Sequence, residues 1–186
     1  GQETKDVAVA VLDSGGPLAD TTSATTTAFI SGGFDFVDFD SDPTDPQSSG
    51  GSHGIHVGST IAALNDGNNI NGFGIAVVPM RVMGTSGTGF VSDIAQGLLF
   101  AGGLPNSTGS VYQGASPIKV MNLSLGSIGG GCSSTYQGVF NDLYDRNISI
   151  VSSSGNAAQE SPGQYGWPAS CENVISVGAT DNIFTR

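Results

Sequence analysis

The sequence of 186 residues is poor in cations, with five Lys plus Arg against sixteen Asp plus Glu and a formal net charge of -11. Such a balance repels the phosphate backbone that basic nucleic-acid binders attract, so nucleic acid is not an expected partner. No stretch approaches the eighteen or so continuous apolar residues of a membrane-spanning helix, and no membrane association is expected. A basic-then-apolar secretory leader is absent after Gly1. With two cysteines there is no cysteine framework: Cys132 and Cys171 read equally as one disulfide or as two buried thiols. Histidine is scarcer still in its placement, because the only two, His53 and His56, sit in one stretch, GGSHGIHVGST.

Glycine is abundant at 29 residues, 38% of the chain is hydrophobic and only 11% is charged, a composition suited to one compact domain over 1–186 with many tight turns. Apolar, β-branched runs at 7–12, 76–83, 118–125, 148–154 and 174–179 predict strands buried on both faces, since they lack strict alternation. Between them, 53–65, 91–102 and 134–147 carry helical spacing. In the last, Tyr136, Val139, Phe140 and Leu143 recur on one face, behind Ser133 or Ser134 as N-cap. Alternating strands and helices predict an α/β fold, a doubly wound and mostly parallel sheet with helices on both faces. Chemistry in such sheets gathers at the carboxyl ends of the strands.

Phosphate cradling is not expected: SGTGF at 86–90 lacks the third glycine of a dinucleotide fingerprint, and no GKS or GKT follows a glycine loop. Of three N-x-S/T sequons, Asn122 falls in a predicted buried strand, and Asn106 is the comfortable acceptor. All three read as coincidences.

For the histidines, a hydrolytic zinc helix needs spacing i, i+4 with Glu beside the first His, and Gly54 stands there instead. Two satisfied structural imidazoles remain an alternative. Asp13 changes the balance, because it ends a buried apolar strand in AVLDSG, where a carboxylate is costly without a partner. An imidazole held by that carboxylate through one nitrogen is free to take a proton through the other. Asn156, after SSSG at another strand end, offers an uncharged NH2 of the kind that stabilises an oxyanion.

At these residues the sequence resembles the subtilisin-like serine proteases, the subtilase family: VAVLDSG looks like its Asp motif, HGIHVGSTIAA its His motif, MNLSLG a substrate-binding strand and SSSGN its oxyanion-Asn motif. The resemblance implies a serine endopeptidase in which Asp13 orients, His53 is the general base and Asn156 donates to the oxyanion. His56 matches the family's second histidine, usually structural. Gly87, Thr88 and Gly89, with Ser124, Leu125 and Gly126, match strands that pair with extended substrate backbone, and Ser153, Ser154, Gly155 and Gly166 match walls of the specificity pocket. GGGCSSTYQ and WPASCENVISVGATD look more narrowly like secreted subtilases of Gram-negative bacteria, which implies a Cys132–Cys171 disulfide and a secreted, extracellular bacterial setting.

Two departures shape the expectation. No serine here sits in the family's GTSMA-type nucleophile motif, so the fold is expected to be incomplete in this chain, its partner a C-terminal fragment bearing the catalytic Ser after a nick at Arg186. The alternative is a catalytically inactive subtilase-fold binding or structural module. Either way, polypeptide substrates or protein inhibitors are the implied ligands, and catalysis needs no cofactor. The second departure is the missing HPDL-like segment. Two readings of DFVDFDSDPTD stay open, a structural calcium site at Asp38, Asp40, Asp42 and Asp45 or a solvated acidic loop, and LNDGNNING offers a second calcium candidate at Asp66.

Overall fold

A computed structural model describes residues 6–17, 29–46, 52–62, 75–127, 129–156 and 166–180. The elements along the chain are β1 (Ala8–Asp13), β2 (Phe34–Asp35), α1 (His53–Ala62), β3 (Ala76–Arg81), α2 (Val91–Ala101), β4 (Ile118–Leu123), α3 (Ser134–Asp145), β5 (Ser149–Ser153) and β6 (Val174–Val177). Two compact units divide between Met121 and Asn122, within β4. No helix among the described residues is long and apolar enough to cross a membrane.

In the first unit the strand order is β2-β3-β1-β4. β1 pairs with β3 in parallel, Ala8 against Ala76 through Asp13 against Arg81, and β2 joins β3 in parallel. All six residues of β1 and all six of β3 are buried, as the unalternating runs predicted. The pleat sends Val9, Val11 and Val77 to one face, where they meet Ala62, Val57 and Ile61 of α1. Leu12 points to the other face. A Cβ at Gly97 of α2 would come within 3.2 Å of it and within 3.0 Å of Val82. One helix therefore covers each face of this sheet, giving the expected α/β arrangement.

The second unit holds α3 on β5, with β5 and β6 paired in parallel from Ile150 against Val174 to Ser153 against Val177. Ser133 caps α3 by accepting the Tyr136 N–H, and the predicted stripe of Tyr136, Val139, Phe140 and Leu143 is its buried face. β6 departs from expectation. It was predicted to be buried, yet Ile175 is 55% and Val177 48% exposed, because nothing among the described residues packs on their face. β2 went unpredicted, being only two residues long.

Candidate active site

β1 carries its apolar run to Asp13, a carboxylate with no exposed surface, at the strand's carboxyl end. Oδ1 of Asp13 accepts the Ser14 N–H at 2.7 Å and lies 2.8 Å from Nδ1 of His53, the first residue of α1. Burial holds the Asp13 carboxyl above its ordinary value, while the bonds from His53 and Ser14 pull it down. Among the described residues Oδ2 is buried without a hydrogen-bond partner, so the carboxylate's interaction with the ring runs through one oxygen. The His53 side chain is 49% exposed. With Nδ1 turned to the carboxylate, Nε2 is the nitrogen left to exchange a proton.

Local backbone chemistry makes this approach possible. Ser52 turns the chain into α1 with φ of 47°. A Cβ at Gly54 would lie 2.4 Å from the Gly15 carbonyl oxygen and 3.1 Å from the Asp13 Cβ, so only glycine lets the first turn of α1 come this close to β1. Gly58 serves similarly: a Cβ there would strike the Phe29 ring at 2.4 Å. His56 behaves differently from expectation. It is exposed, and among the described residues only its backbone is bonded, its N–H to Ser52 and its carbonyl to the Thr60 hydroxyl.

Also in the first unit, Gly87, Thr88 and Gly89 lie in an exposed segment between β3 and α2. The Thr88 carbonyl accepts the Gly84 N–H at 2.9 Å, and Gly87 has φ of 73°, the left-handed region that favours glycine. In the second unit, Ser124, Leu125 and Gly126 continue from β4. Ser124 Oγ accepts from Asn122 Nδ2, Leu125 is buried, and a Cβ at Gly126 would stand 2.7 Å from the Trp167 carbonyl oxygen. Ser127 donates its N–H to that same oxygen at 2.9 Å, which brings the 124–127 segment beside Gly166 and Trp167. Ser153 ends β5, Ser154 donates its N–H to Val177, and Gly155 turns the chain at φ of 98° to present Asn156 at the surface. Cys132 and Cys171 form a disulfide, with Cα atoms 5.1 Å apart. It ties the loop before α3 to the turn after Trp167, whose buried ring packs edge-on against Tyr136.

The acidic loop uses its carboxylates on the protein itself. Asp35, the first carboxylate of the cluster, is buried. It accepts the Val37 and Asp38 N–H groups and pairs with Arg81, which also reaches Asp38. Burial alone would lower the Arg81 pKa, but the two carboxylates carry it above its ordinary value. Asp40 accepts the Asp42 N–H, Asp42 accepts from both donors of Thr44, and Asp45 accepts from the Ser14 hydroxyl. Among the described residues no three His, Cys, Asp or Glu side chains are grouped to hold a metal ion. Asp66 lies outside the described residues. Asn106 is equally committed: its Nδ2 donates to the carbonyls of Leu104 and Ser110, an arrangement glycosylation would break.

The first unit is thus an α/β protein with a carboxylate–imidazole pair at the carboxyl end of a parallel sheet. Comparison with known proteins narrows the class. Residues 4–184 match the subtilase family, Peptidase S8. Over 140 residues the chain is 40% identical to an extracellular protease of Xanthomonas campestris, covering 73% of this chain and 23% of that protein. Over 185 residues it is 38% identical to Subtilisin Savinase of Lederbergia lenta, covering 97% of this chain and 58% of the relative. A solved protease of Pseudoalteromonas arctica superposes with a TM-score of 0.74 at 32% identity, over 94% of this chain and 56% of that one. The chain belongs to the subtilase family. It spans less than two thirds of each of these relatives.

Proposed function

We propose that this chain is part of a secreted serine endopeptidase, supplying Asp13, His53 and Asn156 while the nucleophilic Ser lies outside these 186 residues. The observation that carries the reading is the 2.8 Å contact between Asp13 Oδ1 and His53 Nδ1. His53 Nε2 takes the hydroxyl proton as the Ser oxygen bonds to the substrate carbonyl carbon. Asp13 stabilises the resulting imidazolium, and the same proton passes to the leaving amine when the C–N bond breaks. Asn156 Nδ2 donates to the oxyanion of the tetrahedral intermediate. Water then hydrolyses the acyl-enzyme with His53 again as base.

Substrate is polypeptide, held extended by backbone pairing along Gly87–Gly89 and Ser124–Gly126. The small residues Ser153, Ser154, Gly155 and Gly166 border a roomy, uncharged pocket for the side chain before the scissile bond. The Ser-bearing partner is a C-terminal part of the same protease. The exposed Ile175 and Val177 support a partner that covers β6. Extracellular names among the relatives and the Cys132–Cys171 disulfide support secretion.

The test is fluorophosphonate labelling of the native preparation followed by intact mass. A label on a companion chain is the expected result. No companion and no label would replace the protease with an inactive binding module of the same fold.

A further inference from the structure

Asp45 stands outside the catalytic trio, is only 4% exposed, and belongs to no group of three metal-ligating side chains among the described residues. It is held in place by backbone: Gly16 donates to the Pro43 carbonyl at 2.9 Å, and the Asp45 N–H donates back to Gly16 at 2.8 Å. Gly15 between them, at φ of 120°, has no room for a side chain, because a Cβ would lie 2.7 Å from both the Asp45 nitrogen and the Pro43 oxygen. The 43–45 segment is therefore locked to the chain that leaves β1, and the Asp45 carboxylate is aimed by that lock.

Its target is the Ser14 hydroxyl, which donates to Asp45 Oδ2 at 2.6 Å and accepts the Gly54 N–H at 2.9 Å. A hydroxyl has one proton. Once Asp45 takes it, the oxygen lone pairs are fixed toward Gly54, and Ser14 becomes an N-terminal cap for α1 delivered from a different segment. The backbone N–H of the same Ser14 binds Asp13 Oδ1, the oxygen that faces His53. Ser14 thus touches both members of the pair: the carboxylate through its nitrogen, the helix carrying the imidazole through its hydroxyl.

We propose that Asp45 is a positioning residue for the Asp13–His53 pair, acting through Ser14 to set the first turn of α1 against the end of β1. The inference rests on the endopeptidase reading. An angstrom of drift in that turn moves the His53 ring off the line from Asp13 to the attacking hydroxyl, and misplacements of this size cost up to about 100-fold in rate.

The experiment uses the whole active protease containing these residues and reads kcat and KM on a peptide substrate, with 1H NMR of the His53 Nδ1 proton. Asp45→Ala and Ser14→Ala are each expected to lower kcat about tenfold with KM within about twofold, and to shift or broaden the Nδ1 signal. The double variant is expected to be no worse than either single one, because both break the same relay. Asp45→Asn, whose amide oxygen still accepts from Ser14, is expected to stay within about threefold of the parent and covers the case in which Asp45→Ala fails to fold. Unchanged kcat and Nδ1 signal in Asp45→Ala, multiplying losses in the double variant, or an Asp45→Asn loss of tenfold or more would each overturn the relay. An unaltered protein that neither hydrolyses peptide nor takes a fluorophosphonate would instead remove the endopeptidase reading, and the relay with it.

Discussion

Asp13 and His53, 40 positions apart in the chain, meet at 2.8 Å through Oδ1 and Nδ1. The carboxylate is wholly buried and the imidazole half exposed, so one partner is fixed by the sheet while the other faces solvent. That asymmetry separates two consequences of altering Asp13.

Asp13→Asn is expected to lower kcat about 10⁴-fold, since an amide does not hold the imidazole in the same tautomer or stabilise its charged form. The same change should raise thermal stability at neutral pH. The folded carboxyl binds its proton more tightly than the unfolded one at 3.8, so ionisation weakens the fold. This cost is absent below the unfolded value and complete above the folded one. Melting curves from pH 3 to 8 check it: the advantage of Asp13→Asn should grow as pH rises, and an equal melting point at pH 3 and pH 7 would contradict the burial argument.

Asn156→Ala is expected to lower kcat by about 10²- to 10³-fold with little change in KM, the loss known when subtilisin, a relative of this chain, loses one oxyanion donor. Because the side chain is exposed, its melting temperature should not move. Steady-state kinetics beside a thermal melt separate the two effects.

Gly54→Ala places a methyl 2.4 Å from the Gly15 carbonyl oxygen, and backbone must give way. A destabilisation of about 1–3 kcal/mol is expected, with a loss of activity larger than Gly58→Ala causes, because only Gly54 abuts Asp13. Urea unfolding and kcat/KM on both variants provide the comparison.

Opening the disulfide with Cys132→Ala and Cys171→Ala releases a loop closed over a separation of 39 residues, for which chain entropy gives roughly 4 kcal/mol. Chemical denaturation should show a loss of that order. A loss well below about 1 kcal/mol would mean that Trp167 and Tyr136 already hold the two segments together.

Arg81→Ala leaves Asp35 as a buried carboxylate with no cation, and is expected to cost about 3–5 kcal/mol. Replacing Asp38 alone should cost much less, as that carboxylate is exposed. Denaturant midpoints of the two variants test the ranking.

The hydrophobic pattern was enough to place β1, β3, α2 and α3 within a residue or two, because uninterrupted β-branched runs and an i, i+3, i+4, i+7 stripe each suit one buried geometry. It also marked Asp13, since a carboxylate closing an apolar strand needs a partner, while His53 was singled out by the resemblance of HGIHVGSTIAA to the subtilase His motif. One partner of the acidic loop was not legible in the sequence: Arg81, which pairs with Asp35 and Asp38, is brought in by β3 from distant sequence. The burial of β6 was overestimated: an apolar strand looks the same in sequence whether or not anything packs on it.

By itself the sequence determined most of the element types, the parallel α/β class and the family, which follow from local composition and order. Tertiary structure alone decided which nitrogen of His53 meets Asp13, that Gly54 is there to admit a backbone oxygen, and that Asp45 serves Ser14. Those relations join segments 31 to 40 positions apart, and no local property of either segment encodes a contact that only close packing creates.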